Sequence, residues 1–261
     1  MLNKAEIKRW YRSRSLRFVL DGRTSALGRP IARYEWRGIP IHYRPGTSDP
    51  ALIYSVLLKQ GRKSEYWVPQ SLGPAVILDI GANIGISSIY FSDRFPRAQV
   101  YAFEPVPQNV ALLSRNLAGR PRAHISPVAI GSTNGTVEML SSDSPYNFGG
   151  FSFYDRGSDP NRKIAVEIRD VNAALRELAI DRVDLIKIDT EGAEYDILTS
   201  LDENVLKSVK WIMGELHGER DFELLAFLSR WFDIDTKKSL KNRLFMFRAC
   251  NKALTPEIEL R

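Results

Sequence analysis

The sequence predicts an α/β protein: a mostly parallel sheet, helices on both of its faces and an antiparallel hairpin at the C-terminal end. Three observations predict it. From about residue 75, short apolar runs alternate with segments of helical period. The runs are nearly all apolar, as suits parallel strands covered on both faces. The last two strand-like segments, FDIDTKK and RLFMFRAC, follow each other through SLKN with no helix between them.

The elements follow in order. Residues 1 to about 48 are basic and aromatic, with strand-like pieces ARYEW and IPIHYR, and read as an extension packed on a domain of residues 49–261. TSDPALIYSVLL opens a helix. Ser48 or Asp49 suits its cap, Pro50 its first turn, and Leu52, Ile53, Val56 and Leu57 form its apolar stripe. VILDI (76–80) is a strand bounded by Pro74 and Gly81, and GISSIYFSDRF is the helix behind it. QVYAFE (99–104) is the second strand, VPQNVALLSRNLA its helix, and AHISPVAIG (123–131) the third strand. TVEML and IAVEIRD are strands around a long loop, and VNAALRELA is a helix. VDLIKID (183–189) and VKWIMGELH (209–217) are buried strands. A helix over DFELLAFLSRWF leads into the terminal hairpin.

Composition narrows the class. A chain of 261 residues suits one large domain, or one domain with an extension. No apolar run approaches the ~20 residues of a membrane helix. The N-terminus lacks the apolar core of a signal peptide. The single cysteine, Cys250, excludes an internal disulfide and reads as core. These features predict a cytoplasmic enzyme or binding protein. Charge is uneven: residues 1–45 hold eleven Lys/Arg and three acids, a net of +8, and the remainder 26 and 28, a net of −2. Such an arm suits peripheral contact with an anionic membrane, a phosphorylated substrate or nucleic acid. The plainer alternative is a solvated amphipathic helix packing Trp10, Tyr11, Leu16 and Phe18 on the body. No nucleic-acid-binding signature is present, so nucleic acid is not an expected partner.

In an open α/β sheet, ligands bind beyond the carboxyl ends of the strands. Asp79, Glu104 and Asp189 end three predicted strands, so the fold brings them to one rim. The first rim loop is LDIGANIGISS. A dinucleotide fingerprint needs glycines at 81, 83 and 86, where this chain has Gly81, Asn83 and Ile86. No G-K-[ST] follows, so there is no Walker lysine. Glu104, 23 residues beyond Gly81, is placed to accept hydrogen bonds from the ribose hydroxyls of an adenosine ligand.

VILDIGANIGISS, VYAFEPVPQNVALLSRNL and VDLIKIDTEGAEYDIL resemble the FkbM-type S-adenosylmethionine-dependent methyltransferases, over roughly residues 40–220. IKIDTEGAEYDIL is the most specific part. The upstream IHYRPGTSD is similar to what often precedes the core in that family. The resemblance implies a Rossmann-like class I methyltransferase fold with a seven-stranded sheet. It implies methyl transfer to a hydroxyl of a sugar, glycolipid or related natural product. By position it implies that Gly81, Ala82, Asn83 and Gly85, with Asp79 at the strand end, surround the methionine part and ribose of the cofactor. Glu104 then holds the ribose, Val128 and Ala129 lie against the adenine, and Asp189 lies near the cofactor's amino group or the acceptor hydroxyl.

A general base would help deprotonate a weakly acidic hydroxyl. His217, at the end of VKWIMGELH, is one candidate and Glu191 the other; His42 and His124 fall elsewhere. Asp189, Glu191, Glu215 and His217 would also suit magnesium or manganese, although no metal ligand is assigned. Glu194 and Asp196 start the next helix and complement its dipole. The loop 141–163, with Tyr146, Phe148, Phe151, Phe153 and Tyr154 around Gly149 and Gly150, suits a lid over a sugar, or a strand pair with its aromatics packed inward. Two readings compete with methyl transfer. One is a nicotinamide-dependent oxidoreductase, against which the broken glycine fingerprint counts. The other is a non-catalytic protein that binds an adenosine ligand.

Overall fold

The computed structural model describes residues 2–23, 30–140, 163–217, 220–238 and 244–254. The aromatic loop at 141–162 lies outside the described residues. Helices α1 (Lys4–Ser13) and α2 (Leu16–Asp21) precede a hairpin of β1 (Ala32–Trp36) and β2 (Ile39–Tyr43). Arg37 and Gly38 take φ of 53° and 78°, the left-handed pair that a tight two-residue hairpin turn requires. Helix α3 (Asp49–Ile53) runs on into a π-helical turn, Tyr54–Leu58. Ser48 is its N-cap residue but makes no side-chain cap bond. The Asp49 carboxylate, expected as an alternative cap, is turned instead onto the Arg44 guanidinium, which satisfies both of its oxygens.

The alternation then begins with β3 (Val76–Ile80), α4 (Ile86–Arg94), β4 (Gln99–Phe103), α5 (Pro107–Leu117) and β5 (Ala123–Ser126). The expected third strand over 123–131 is two strands. Pro127 has no N–H to give a ladder, and the chain leaves the main sheet there. It resumes as β6 (Ala129–Gly131), which pairs with β8 (Lys163–Asp170), itself paired to β7 (Gly135–Leu140). Next come α6 (Val171–Glu177), β9 (Leu185–Ile188), α7 (Glu194–Ser200), α8 (Glu203–Ser208), β10 (Trp211–Glu215) and α9 (Asp221–Leu228). The hairpin of β11 (Phe232–Lys238) and β12 (Leu244–Asn251) completes the fold.

Among the described residues the main sheet has seven strands in the order β11-β12-β10-β9-β3-β4-β5. The pairs from β10 to β5 are parallel, and β12 is antiparallel to both its neighbours. This is the mostly parallel α/β sheet with a terminal antiparallel pair that the sequence predicts.

Because side chains alternate across a strand, each central strand feeds two cores. Ile77, Leu185, Trp211 and Met213 enter one, with α4, α5 and the N-terminal residues Phe18, Trp36 and Ile41. Leu78, Ile186, Ile188 and Ile212 enter the other, with α6, α7 and α9. The N-terminal residues are joined to the sheet domain by polar bonds as well. Asn116 Oδ1 accepts from His42 N at 2.7 Å, and its amide donates to His42 O at 2.9 Å and Ile84 O at 2.8 Å.

Asn116 is 3% exposed, so its loss leaves buried backbone groups without partners. Asn116→Ala is expected to lower unfolding stability by about 2–4 kcal/mol, from ~1–3 kcal/mol for each orphaned group. Urea unfolding with unchanged cooperativity checks this. A loss below ~1 kcal/mol would mean that the hairpin does not depend on this bridge.

Candidate active site

The first loop is shaped by backbone contact. Gly81 has φ +75°, and a Cβ there would fall 1.9 Å from the Asp189 carbonyl oxygen. Only glycine lets β3 and β9 close at this point. The Gly81 and Ala82 N–H groups donate to Phe103 O, turning the loop over the end of β4. Gly85, at φ +86°, caps α4 against Leu113.

Glu104 holds this loop. Its Oε2 accepts from Asn83 N at 2.8 Å, and its Oε1 accepts from Val106 N at 3.0 Å and Asn109 Nδ2 at 3.1 Å. Burial pushes its carboxyl up, and those three bonds oppose the shift without cancelling it. Asn109 also accepts from Arg44 Nη1 at 2.9 Å, and Arg44 is clamped by Asp49. A buried polar relay therefore runs from α3 to the acid at the end of β4.

Beneath the loop lies a cation that the sequence reading did not single out. Lys187 sits in the centre of β9 and is 2% exposed. Its Nζ donates to Gly81 O at 2.6 Å, and lies 3.4 Å from Asp79 Oδ1 and 3.9 Å from Asp189 Oδ2. Burial alone would lower its pKa, but the two aspartates outweigh that and raise it. Asp79 is fully buried, and its Oδ2 accepts from the hydroxyls of Ser87 and Ser88. Asp79 thus never reaches the rim as expected; its carboxylate points back under the sheet end and anchors α4 and Lys187.

Asp189 does reach the rim. Tyr66 OH donates to its Oδ2 at 3.0 Å. The next acid, Glu191, takes φ +57°, a left-handed conformation uncommon outside glycine and found at sites held by their surroundings. Glu194 begins α7, as expected, but its carboxylate folds back. Oε1 accepts from Thr190 N at 2.9 Å and from Gly192 N at 3.3 Å. The same oxygen lies 3.3 Å from His217 Nδ1.

His217 is surrounded by acids. Its Nε2 lies 3.0 Å from Glu215 Oε2, 3.8 Å from Glu191 Oε2 and 4.0 Å from Asp189 Oδ1. Burial would lower its pKa, but hydrogen bonds with Glu194 and Glu215 and the charges of Asp189 and Glu191 hold it at about 11. An imidazolium has no lone pair to take a proton. In this arrangement His217, one of the two base candidates, is held as a cation, which disfavours it as a proton acceptor. Glu215 fits that role better: burial first, then the charge of Asp189, raise its carboxyl to about 7 against the pull of His217. A group poised there suits proton transfer near neutrality.

These residues surround a cavity of about 430 Å³ at the carboxyl ends of β3, β4, β9 and β10. Gly81, Asn83, Glu104, Val128, Ala129, Asp189 and Glu191 line it. Ala82 and Gly85 shape the loop without lining it, and His217 stands behind Glu215 and Glu191. The sequence reading grouped Glu215 with Asp189, Glu191 and His217 only as a possible metal set, and it missed Glu65 as a lining acid. It also missed the wall of Ser48, Ala51, Leu52 and Ser55 from α3 and the turn after it. Among the described lining residues five are acidic and none is basic. Asn83 Oδ1 is buried with no hydrogen-bond partner. Asp189, Glu215 and His217 each have an atom within 4.8 Å of the others, but His217 as a cation has no lone pair to offer a metal, so this spacing does not make a metal site.

Comparison with known proteins agrees with this geometry. Residues 79–245 match the family model described as the methyltransferase FkbM domain. The AMB antimetabolite synthetase AmbE of Pseudomonas aeruginosa is 30% identical over 56% of this chain and 8% of that protein. Methyltransferase sdnD of Sordaria araneosa is 29% identical over 53% of this chain and 65% of its own length. The 2-O-methyltransferase NoeI of Sinorhizobium fredii is 28% identical over 57% of this chain and 65% of its own length. The matched part therefore spans less than two thirds of each relative.

The Lys187 cluster makes a prediction. Removing the ammonium leaves Asp79 and Asp189 facing each other without compensation. Lys187→Met is expected to cost about 3–5 kcal/mol of stability, the scale for breaking a buried ion pair. Chemical denaturation measures it. A variant as stable as the wild type would show that the aspartates do not need this counter-charge.

Proposed function

Because the chain belongs to the FkbM methyltransferase domain family, we propose that it is an S-adenosylmethionine-dependent O-methyltransferase acting on a hydroxyl of a sugar, glycolipid or related natural product. The observation that carries this reading is the acidic cavity, with no basic residue among its described lining residues, at the carboxyl ends of the parallel strands. Such a cavity favours a ligand carrying positive charge. The residues fit that cofactor. Asn83 Oδ1 is a buried acceptor awaiting a donor, Glu104 and Asp189 supply carboxylates, and Val128 and Ala129 supply an apolar wall. A hydroxyl acceptor is supported by the name of NoeI, a 2-O-methyltransferase. The nicotinamide alternative loses its ground with the family match and the broken glycine fingerprint.

Bound S-adenosylmethionine supplies a methyl carbon made electrophilic by its sulfonium. The chain's own residues do the rest. Glu104 and Asn83 would hold the ribose side of that cofactor. Asp189, fixed by Tyr66 and Lys187, faces the cationic end. Glu215 takes the proton of the acceptor hydroxyl, and Glu191 orients that hydroxyl. His217, held as a cation by Glu194, keeps Glu215 in place and limits how far its pKa rises.

Calorimetry with S-adenosylmethionine, and transfer of a labelled methyl group to a panel of glycans and lipids, test the reading. Absence of both binding and transfer would sink it. The base assignment has its own test. Wild-type single-turnover rates should rise with pH through a midpoint near 7, because a carboxyl pushed up to that value accepts a proton only above it. Glu215→Gln should keep cofactor affinity and lose roughly 10²–10⁴-fold in rate. His217→Gln should move the midpoint upward, since it removes a cation that favours ionised Glu215. If instead His217→Gln abolishes the rising limb while Glu215→Gln retains it, His217 is the base.

A further inference from the structure

Helix α1 is built inside out. Its inward face carries Glu6, Arg9 and Ser13, which are buried or half-buried. Its outward face carries Ile7, Trp10 and Tyr11, exposed by 50%, 49% and 67%. The polar face is used: Glu6 pairs with Arg23, the Arg9 guanidinium lies over the Tyr54 ring at 5.4 Å, and Ser13 O accepts from Tyr34 OH at 3.1 Å. The packing expected for Trp10, Tyr11 and Leu16 is not found. On α2, Phe18 is buried at 1% while Leu16 and Leu20 face outward. Of the six large apolar side chains that stand exposed among the described residues, five lie between positions 7 and 20. Their concentration in one short segment marks a docking surface, since apolar exposure is otherwise scattered.

We propose that α1 and α2 form a surface that docks on an anionic lipid bilayer. Charge chooses the occupant. Lys4 and Lys8 flank the apolar stripe, Arg14 and Arg17 are exposed around it, and residues 1–45 carry a net +8. A second copy would bring two such faces together and be repelled. Acidic headgroups attract them, while the basic stems lie along the apolar surface. Tryptophan and tyrosine suit the zone between headgroups and acyl chains. A helix with an apolar face and basic flanks lies in that zone without crossing it. No helix among the described residues is long and apolar enough to cross. Helix α1 packs on the turn Tyr54–Leu58, and Ser55 of that turn lines the cavity, so the docked helix would lie between the lipid and one cavity wall.

The test is independent of methyl transfer. The full chain is sedimented with vesicles of phosphatidylcholine alone and of phosphatidylcholine with phosphatidylserine. Partitioning into the anionic vesicles at low salt should exceed that into neutral ones by at least about tenfold, and should weaken as salt rises. Trp10→Ser/Tyr11→Ser and Lys4→Glu/Lys8→Glu should each lower it about tenfold or more, whereas Phe222→Ser, a surface change on α9, should not. Equal partitioning into both vesicle types, or undiminished binding by both double variants, overturns the proposal. So does a self-associated chain that these variants return to monomer without any lipid binding, which would give the face to a second copy.

Discussion

A positive charge sealed inside a parallel sheet governs this site. Lys187 has almost no access to water, and its ammonium is satisfied by Asp79, Asp189 and the Gly81 carbonyl. A buried charge persists only with such partners. Each partner is then committed. Asp79 fixes the start of α4 through Ser87 and Ser88, Gly81 fixes the first loop, and Asp189 fixes the cavity floor together with Tyr66. Strand ends that would otherwise be separate are drawn to one point.

The second tier of the site works by the same rule with the signs reversed. His217 stands among Glu191, Glu194, Glu215 and Asp189 and is held as a cation by them. Burial and the charge of Asp189 raise the Glu215 carboxyl to about 7, while His217 is held as a cation. Two fixed cations thus stand behind an acidic cavity, one under its floor and one behind its wall. The acids facing the cavity retain a net negative field for a cationic ligand.

Much of the fold was legible because its signals are periodic. The apolar runs VILDI and VDLIKID, the helix stripes and the terminal hairpin all fell where expected. The break at Pro127 was also written in the chain, but strand-like residues on both sides concealed it. The rim acids Glu104, Asp189 and Glu191 were found because strand ends are visible in a sequence. Charge state was not visible. Whether His217 is a base depends on how many carboxylates surround it in space, and Glu194 and Glu215 approach it from α7 and β10. Lys187 did leave a signal, a lone lysine in the middle of an apolar strand, which burial would force into a partnership. The Ala51 and Leu52 wall left none, since an apolar helix stripe reads the same whether it faces a core or a cavity.

The alternation that feeds two cores from each central strand also constrains how such a chain can change in length. Leu185 and Lys187 face one core, and Ile186 and Ile188 the other. Inserting or deleting one residue within β9 would exchange the two sets. The ammonium would then point into the apolar cluster around Val171, Ile197 and Phe247, away from Asp79 and Asp189. Frame is therefore enforced by charge as well as by shape in β9. Related chains should vary in length between strands and hardly at all within this one.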